Sequence, residues 1–278
     1  MKGFISPGLH PFYKLLILLM FMAGGLFVAM FFAMTGLSVF FGFSIADIGQ
    51  VTTNPGSFPN GRNAMIFYQI VTHLCMFTLA PLLFLAWSQP NVKRYLFCKE
   101  NYPALLLLTA FLALLIMPAN SWLIELNANM HLPDFLKGLE EMARQKEDQL
   151  AELTKFLTSF QTPADVLVGL LAFALIPAIG EELVFRGIMQ RNLLDWCGNR
   201  HAAIWITAII FGAIHVQFFG FFPRVLLGAV FGYLYLWSGN LWVPITAHFM
   251  NNGFAVVALY LQQQKLIETN LETTEASP

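Results

Sequence analysis

Charge is what this chain lacks most. Of its 278 residues only 11% are Asp, Glu, Lys or Arg, against about 25% in ordinary soluble domains, too few to build a water-facing surface. The signs nearly cancel, 15 basic against 16 acidic residues for a net charge of −1. With no basic patch standing out, nucleic-acid binding is excluded. Cysteine is scarce too. Cys75, Cys98 and Cys197 are isolated and form no pairs at metal-ligand spacing, which argues against a structural zinc site and a disulfide framework. Gly-x-Ser-x-Gly and His-Glu-x-x-His are both missing, so serine-hydrolase and zincin readings have no motif support. No internal repeat is visible, which weakens a transporter built on inverted halves.

What the chain has in abundance is apolar sequence, 57% of all residues. Residues 15–41, 63–87 and 103–124 contain no Asp, Glu, Lys or Arg. Each reaches the roughly 20 residues that a bilayer-spanning helix needs. The expected fold is all-α, a polytopic transmembrane helical bundle. About seven spans are expected, near 12–41, 63–87, 103–124, 163–185, 202–219, 223–238 and 241–263. Turn residues such as Asn54-Pro55-Gly56, Gly198-Asn199 and Ser238-Gly239-Asn240 separate them. The first apolar run is too long for the core of a signal peptide and reads as a retained span.

One stretch breaks the pattern. Residues 125–162 turn polar and charged, with Leu136, Leu139, Met142, Leu150, Leu153 and Leu157 at helical spacing. They form an amphipathic, charged helical connector, lying on the membrane surface or standing off it. It divides N-terminal transmembrane helices, 1–124, from a C-terminal core, 163–263, and a polar tail, 264–278. Basic residues in short loops place the N-terminus in the cytoplasm and the connector outside.

Ionisable groups inside spans are costly and usually functional, and three C-terminal spans carry them. In Gly180-Glu181-Glu182-Leu183-Val184-Phe185-Arg186, Glu182 and Arg186 share a helix face in the order that favours an ion pair. Glu181 lies about 100° away and has no local partner, which suits a general base. Phe211 and His215 share a face in the next span. His248 and Asn252 do so in the last, aiming two polar groups at one point, with Asn251 off that line. Each group read singly also fits a solvated or interhelical role. Among the other histidines, His73 sits inside a span with no carboxylate nearby in its own helix and reads as a structural interhelical bond. His10, His131 and His201 fall near span ends or in the polar segment, where water solvates them.

Glu-Glu-x-x-x-Arg, Phe-x-x-x-His and His-x-x-x-Asn, in that order on successive helices, resemble the CAAX protease and bacteriocin-processing (CPBP) family of intramembrane endopeptidases, which includes the type II CAAX prenyl endopeptidases. The resemblance covers about residues 163–255. It implies peptide-bond hydrolysis of membrane-associated peptides or proteins within the bilayer. Glu181 would activate water with help from His215, while His248 and Asn252 would stabilise the oxyanion. Glu182 and Arg186 would support Glu181, and Phe211 belongs to the second motif. No cofactor is firmly implied; a divalent metal such as zinc, if any, would be held by His215, His248 and Glu181. The expected location is integral to the membrane, the inner membrane in a prokaryote. Two alternatives stay open, a non-catalytic membrane binding or immunity protein and a proton-coupled transporter.

Overall fold

The computed structural model describes residues 4–6, 8–99 and 103–267. Among the described residues there is no β-strand, only one isolated antiparallel bridge between Phe97 and Asn240. The helices in chain order are α1 (Pro11–Phe41) and α2 (Ile45–Thr53), then α3 (Gly61–Ser88) and α4 (Val92–Leu96). They continue with α5 (Pro103–Ala128), α6 (Lys137–Leu157) and α7 (Pro163–Cys197). Last come α8 (Arg200–Ala213), α9 (Phe221–Ser238) and α10 (Trp242–Gln263).

Five of these, α1, α3, α5, α7 and α9, are long and apolar enough to cross a membrane, and the chain is an integral membrane protein. The two other expected spans fall on α8, which has only 14 residues, and on α10. At about 1.5 Å per residue the 22 residues of α10 are long enough, but His248, Asn251 and Asn252 dilute its apolar character.

Local chemistry sets the ends of α7. Thr162 and Asp165 form a reciprocal capping box with Pro163 in the first turn, satisfying backbone N–H groups that the helix leaves open. The helix then runs past residue 185, where the apolar run suggested an end, and stops at Gly198. That glycine takes φ 65°, a left-handed C-cap that costs other residues more. Asn199 accepts from the backbone of His201 and Ala202 to start α8. Because α7 continues, Glu181, Glu182 and Arg186 lie mid-helix instead of near its end. Arg191, beyond the expected span of 163–185, also lies within the helix and donates to the Tyr95 carbonyl.

Helix α7 is the hub. Its first half packs on α10, its middle on α3, and its C-terminal part on α1 and α8. The central apolar cluster gathers Leu18 and Met22 from α1, Phe84 and Leu85 from α3, and Ala178, Val184, Phe185 and Ile188 from α7. Phe211, Tyr235 and Ile245 from the last three helices complete it. Two turns of α7, Leu170–Leu175 and Leu183–Met189, are π-helical, as is Leu74–Leu79 in α3. Such widened turns interrupt helices chiefly at functional sites; here they flank the glutamate pair and face it.

The charged connector is helical from Lys137 to Leu157. It is anchored along its first half. Glu140 binds Arg144 and the Leu132 N–H. Glu147 accepts from the Phe219 N–H at 2.8 Å, and the Arg144 guanidinium lies 3.9 Å from the Phe219 ring centre. The helix is therefore fastened to the loop that follows His215.

Candidate active site

The site is built outward from a fully buried ion pair. Arg186 donates to Glu182 Oε1 at 2.6 Å, and both side chains have no exposed surface. This is the pair expected from their i, i+4 spacing. Its surroundings explain how two charges survive burial. The other Arg186 terminal nitrogen donates to the Gly228 carbonyl at 2.9 Å, and the guanidinium lies 4.7 Å from the Phe211 ring centre and 5.3 Å from that of Phe231. Aromatic faces attract a desolvated guanidinium.

The same Glu182 oxygen holds His248, whose Nδ1 lies 2.8 Å away. An ionised carboxylate only accepts, so Nδ1 carries a proton and Nε2 points away towards the site. Asn252, one helical turn on, places its Nδ2 at 3.3 Å from that Nε2 and at 3.2 Å from the Phe173 carbonyl. Its oxygen accepts from Asn251 at 3.1 Å. Phe231 stacks on the imidazole with ring centres 5.1 Å apart. His248 is thus fixed on three sides, and Asn252 is engaged with it as the shared face of α10 required.

His215 sits just beyond the end of α8. Its Nδ1 lies 2.8 Å from the Phe211 carbonyl, another acceptor, so the proton is on Nδ1 and Nε2 is the accepting nitrogen. Phe211 meets it edge to face at 5.1 Å. The next residue, Val216, has φ 53°, a conformation that a β-branched residue adopts only at a cost. That strain turns the chain sharply beside His215.

Glu181 faces all of this. It is 8% exposed. Its Oε2 lies 4.0 Å from His248 Nε2, and its Oε1 lies 3.4 Å from His73 Nε2 on α3. A cavity of about 60 Å³ opens in front of it, lined by Glu181, His215, His248, Asn252, Arg224 and Asn120 among others. That is room for water molecules with several polar partners. A second, apolar cavity of about 270 Å³ lies between α5, α9 and α10 and shares Leu227, Phe231 and Asn251 with the first.

All seven residues singled out from the motifs converge here. Three contributors were not anticipated. His73 was read as a structural interhelical bond, and its partner proves to be Glu181 itself. Arg224, not singled out in the sequence, is buried at the start of α9, donates to Gln217 and lines the cavity. Asn251, set aside as off the line of His248 and Asn252, lines both cavities. Only the Pro223-Arg224 pair opening an apolar helix hinted at an arginine held inside.

A divalent metal finds no ready seat. Among the described residues no three His, Cys, Asp or Glu side chains are grouped to hold one ion. The Nδ1 atoms of His248 and His215 are held by Glu182 and the Phe211 carbonyl, and the amide of Asn252 lies against His248 Nε2.

Residues 163–254, which carry this site from α7 into α10, match the family model described as Type II CAAX prenyl endopeptidase Rce1-like. Over this segment the chain is similar to the Rce1-like family. The chain is also 34% identical over 80 residues to the uncharacterized protein YpbD of Bacillus subtilis, covering 27% of this chain and 38% of that one. It is 33% identical over 99 residues to the membrane-embedded CAAX protease MroQ of Staphylococcus aureus, covering 34% of this chain and 40% of that one. The chain thus matches about two fifths of the length of these curated relatives. No solved structure matches. The Rce1-like match begins at the capping box of α7 and leaves α1 to α6 outside it.

Proposed function

We propose that the chain is an intramembrane endopeptidase that hydrolyses peptide bonds of membrane-associated substrates by glutamate-activated water. The observation that carries this reading is Glu181, held between two histidines at the wall of a water-sized cavity inside the Rce1-like segment.

Glu181 takes a proton from water while the water oxygen attacks the peptide carbonyl carbon, and the carbonyl oxygen becomes an oxyanion. His248 and Asn252 face that oxygen. The hydrogen bond from His248 Nδ1 to Glu182 fixes the ring, and Asn252 beside it supplies an amide donor for the oxyanion, the kind of preorganised electrostatics that dominates acyl-transfer catalysis. His215 Nε2 orients the water from the other side. As the C–N bond breaks, Glu181 returns its proton to the leaving nitrogen, giving a free amine and a new carboxyl terminus. Arg186 holds Glu182 in place throughout. No step passes through a metal.

The substrate class follows from the second cavity. Its wall is Leu112, Ala113, Ile116, Val230, Leu234 and Trp237 with few polar groups, and it shares Leu227 and Phe231 with the reaction cavity. A membrane-anchored peptide entering between α5 and α9 would place apolar groups there and its scissile bond beside Glu181.

The test compares protein termini in membranes from cells making equal amounts of the wild type or Glu181→Gln. New termini should appear with the wild type alone. Identical sets of termini would overturn the protease reading in favour of a binding protein, and solute or proton flux dependent on Glu181 would favour a transporter.

A further inference from the structure

We propose that His73, which lies outside the Rce1-like segment, is a positioning residue that selects which oxygen of Glu181 acts as the base. This rests on the protease reading above.

The geometry around His73 is more specific than an interhelical bond requires. Its Nε2 lies 3.4 Å from Glu181 Oε1, and its ring stacks on Phe77 with centres 4.7 Å apart and planes within 20°. Nδ1 is buried without a hydrogen-bond partner among the described residues. A ring nitrogen facing a carboxylate must be the N–H, so Nε2 donates to Oε1. The approach depends on Gly180. A Cβ there would stand 2.9 Å from His73 Cε1 and 2.9 Å from Phe77 Cβ, closer than side chains tolerate, so any larger residue would push α3 off the glutamate. The π-helical turn of α3 begins at Leu74, immediately after His73, and widens the helix where it meets α7.

The chemical consequence concerns the two carboxylate oxygens. With Oε1 accepting from His73, Oε2 is the one left towards His248 Nε2, 4.0 Å away. A general base needs one oxygen aimed at the water proton in a defined direction. A carboxylate free to rotate about its last bond has none. His73 therefore makes the N-terminal helices part of the catalytic apparatus instead of a lipid-facing jacket alone.

The experiment separates the donor from the packing. His73→Gln keeps an N–H near the Nε2 position, whereas His73→Phe keeps a flat ring on Phe77 and has no donor. The probe is the set of Glu181-dependent termini in membranes, followed over time, with Glu181→Gln as the zero and protein amount and detergent melting temperature measured in parallel. His73→Phe should slow their appearance about 10–100-fold, the loss expected for one hydrogen bond to a charged group, while His73→Gln restores the rate to within about threefold. His73→Leu is a second donor-free variant should the phenylalanine variant fail to accumulate. A wild-type rate with His73→Phe or His73→Leu would overturn the proposal. So would equal losses in the glutamine and donor-free variants at unchanged melting temperature. Glu181→Gln membranes that still acquire the termini would instead overturn the protease reading on which the proposal stands.

Discussion

Helices α1 and α7 look alike in composition and do opposite things. The most apolar stretch of α1 has mean hydropathy 2.6 and that of α7 has 2.0, yet only 17% of the first is buried inside the protein and 61% of the second. Large side chains of α1 such as Phe27, Phe31 and Phe40 face outward, where lipid receives them at little cost. α7 is enclosed by α1, α3, α8 and α10. In a bilayer apolar character does not distinguish inside from outside, because tails and core are equally apolar. Charge does. The charged groups a lipid-facing helix cannot carry are concentrated on the enclosed part of α7, where Glu182 and Arg186 have no exposed surface.

Four measurements would break or sharpen that contrast. The largest effect belongs to Glu181→Gln, expected to lower the rate of new-terminus formation about 10³-fold, within the range for loss of a general base, with the fold intact; residual activity near the wild-type level would detach α7 from the chemistry. Next comes the buried pair. Arg186→Met should cost about 3–5 kcal/mol by leaving Glu182 uncompensated, and Glu182→Met together with Arg186→Met should cost less than the single change, read as thermal unfolding in detergent. A comparison of packing follows. Ile188→Ala, on the enclosed face of α7, should cost about 2–5 kcal/mol, while Phe27→Ala on α1 should stay within about 0.5 kcal/mol, as changes outside the core do; equal losses would mean that α1 is covered by protein.

The smallest effect is confined to the connector. Hydrogen bonds from the Leu132 N–H and then Arg144 hold Glu140 down to about 2 from its ordinary 4.5. A carboxyl lowered in the folded state contributes stability above the unfolded value and loses it as pH falls. Anchoring of α6 should therefore be complete above pH 4.5, weaken between about 4.5 and 2, and become insensitive to pH in that window in Glu140→Gln. Hydrogen exchange across residues 132–157 would read it, and a Glu140→Gln profile as pH-dependent as the wild type would refute the assignment.

Within one helix, spacing carried the prediction far. Glu182 with Arg186 and His248 with Asn252 are each four residues apart on one helix, where 3.6 residues per turn fixes what shares a face, whereas His215 lies just past the end of α8 and is held beside Phe211 by its bond to that residue's carbonyl. Length was harder to read. The end of the apolar run near residue 185 suggested a helix end, and a helix whose last turns carry Gln190, Arg191 and Asn192 gives no hydropathic sign that it continues. The site residues that went unrecognised depend on other elements. His73 and Glu181 are 108 positions apart, and no periodicity links them.

Composition alone determined that this chain lives in a membrane as a helical bundle, since backbone polar groups in hydrocarbon must be satisfied within the helix and so little charge cannot coat a soluble surface. Three short motifs picked out the side chains proposed to carry the chemistry. Only the tertiary structure decided how they are used: that Glu182 and Arg186 are buried as support while Glu181 meets the cavity, that a histidine from the N-terminal half reaches the same carboxylate, and that Arg224 points inward. Those outcomes depend on the packing of α3, α5 and α9 around α7. Helix-to-helix register arises from close contacts such as that of Gly180 with His73, which a linear pattern does not encode.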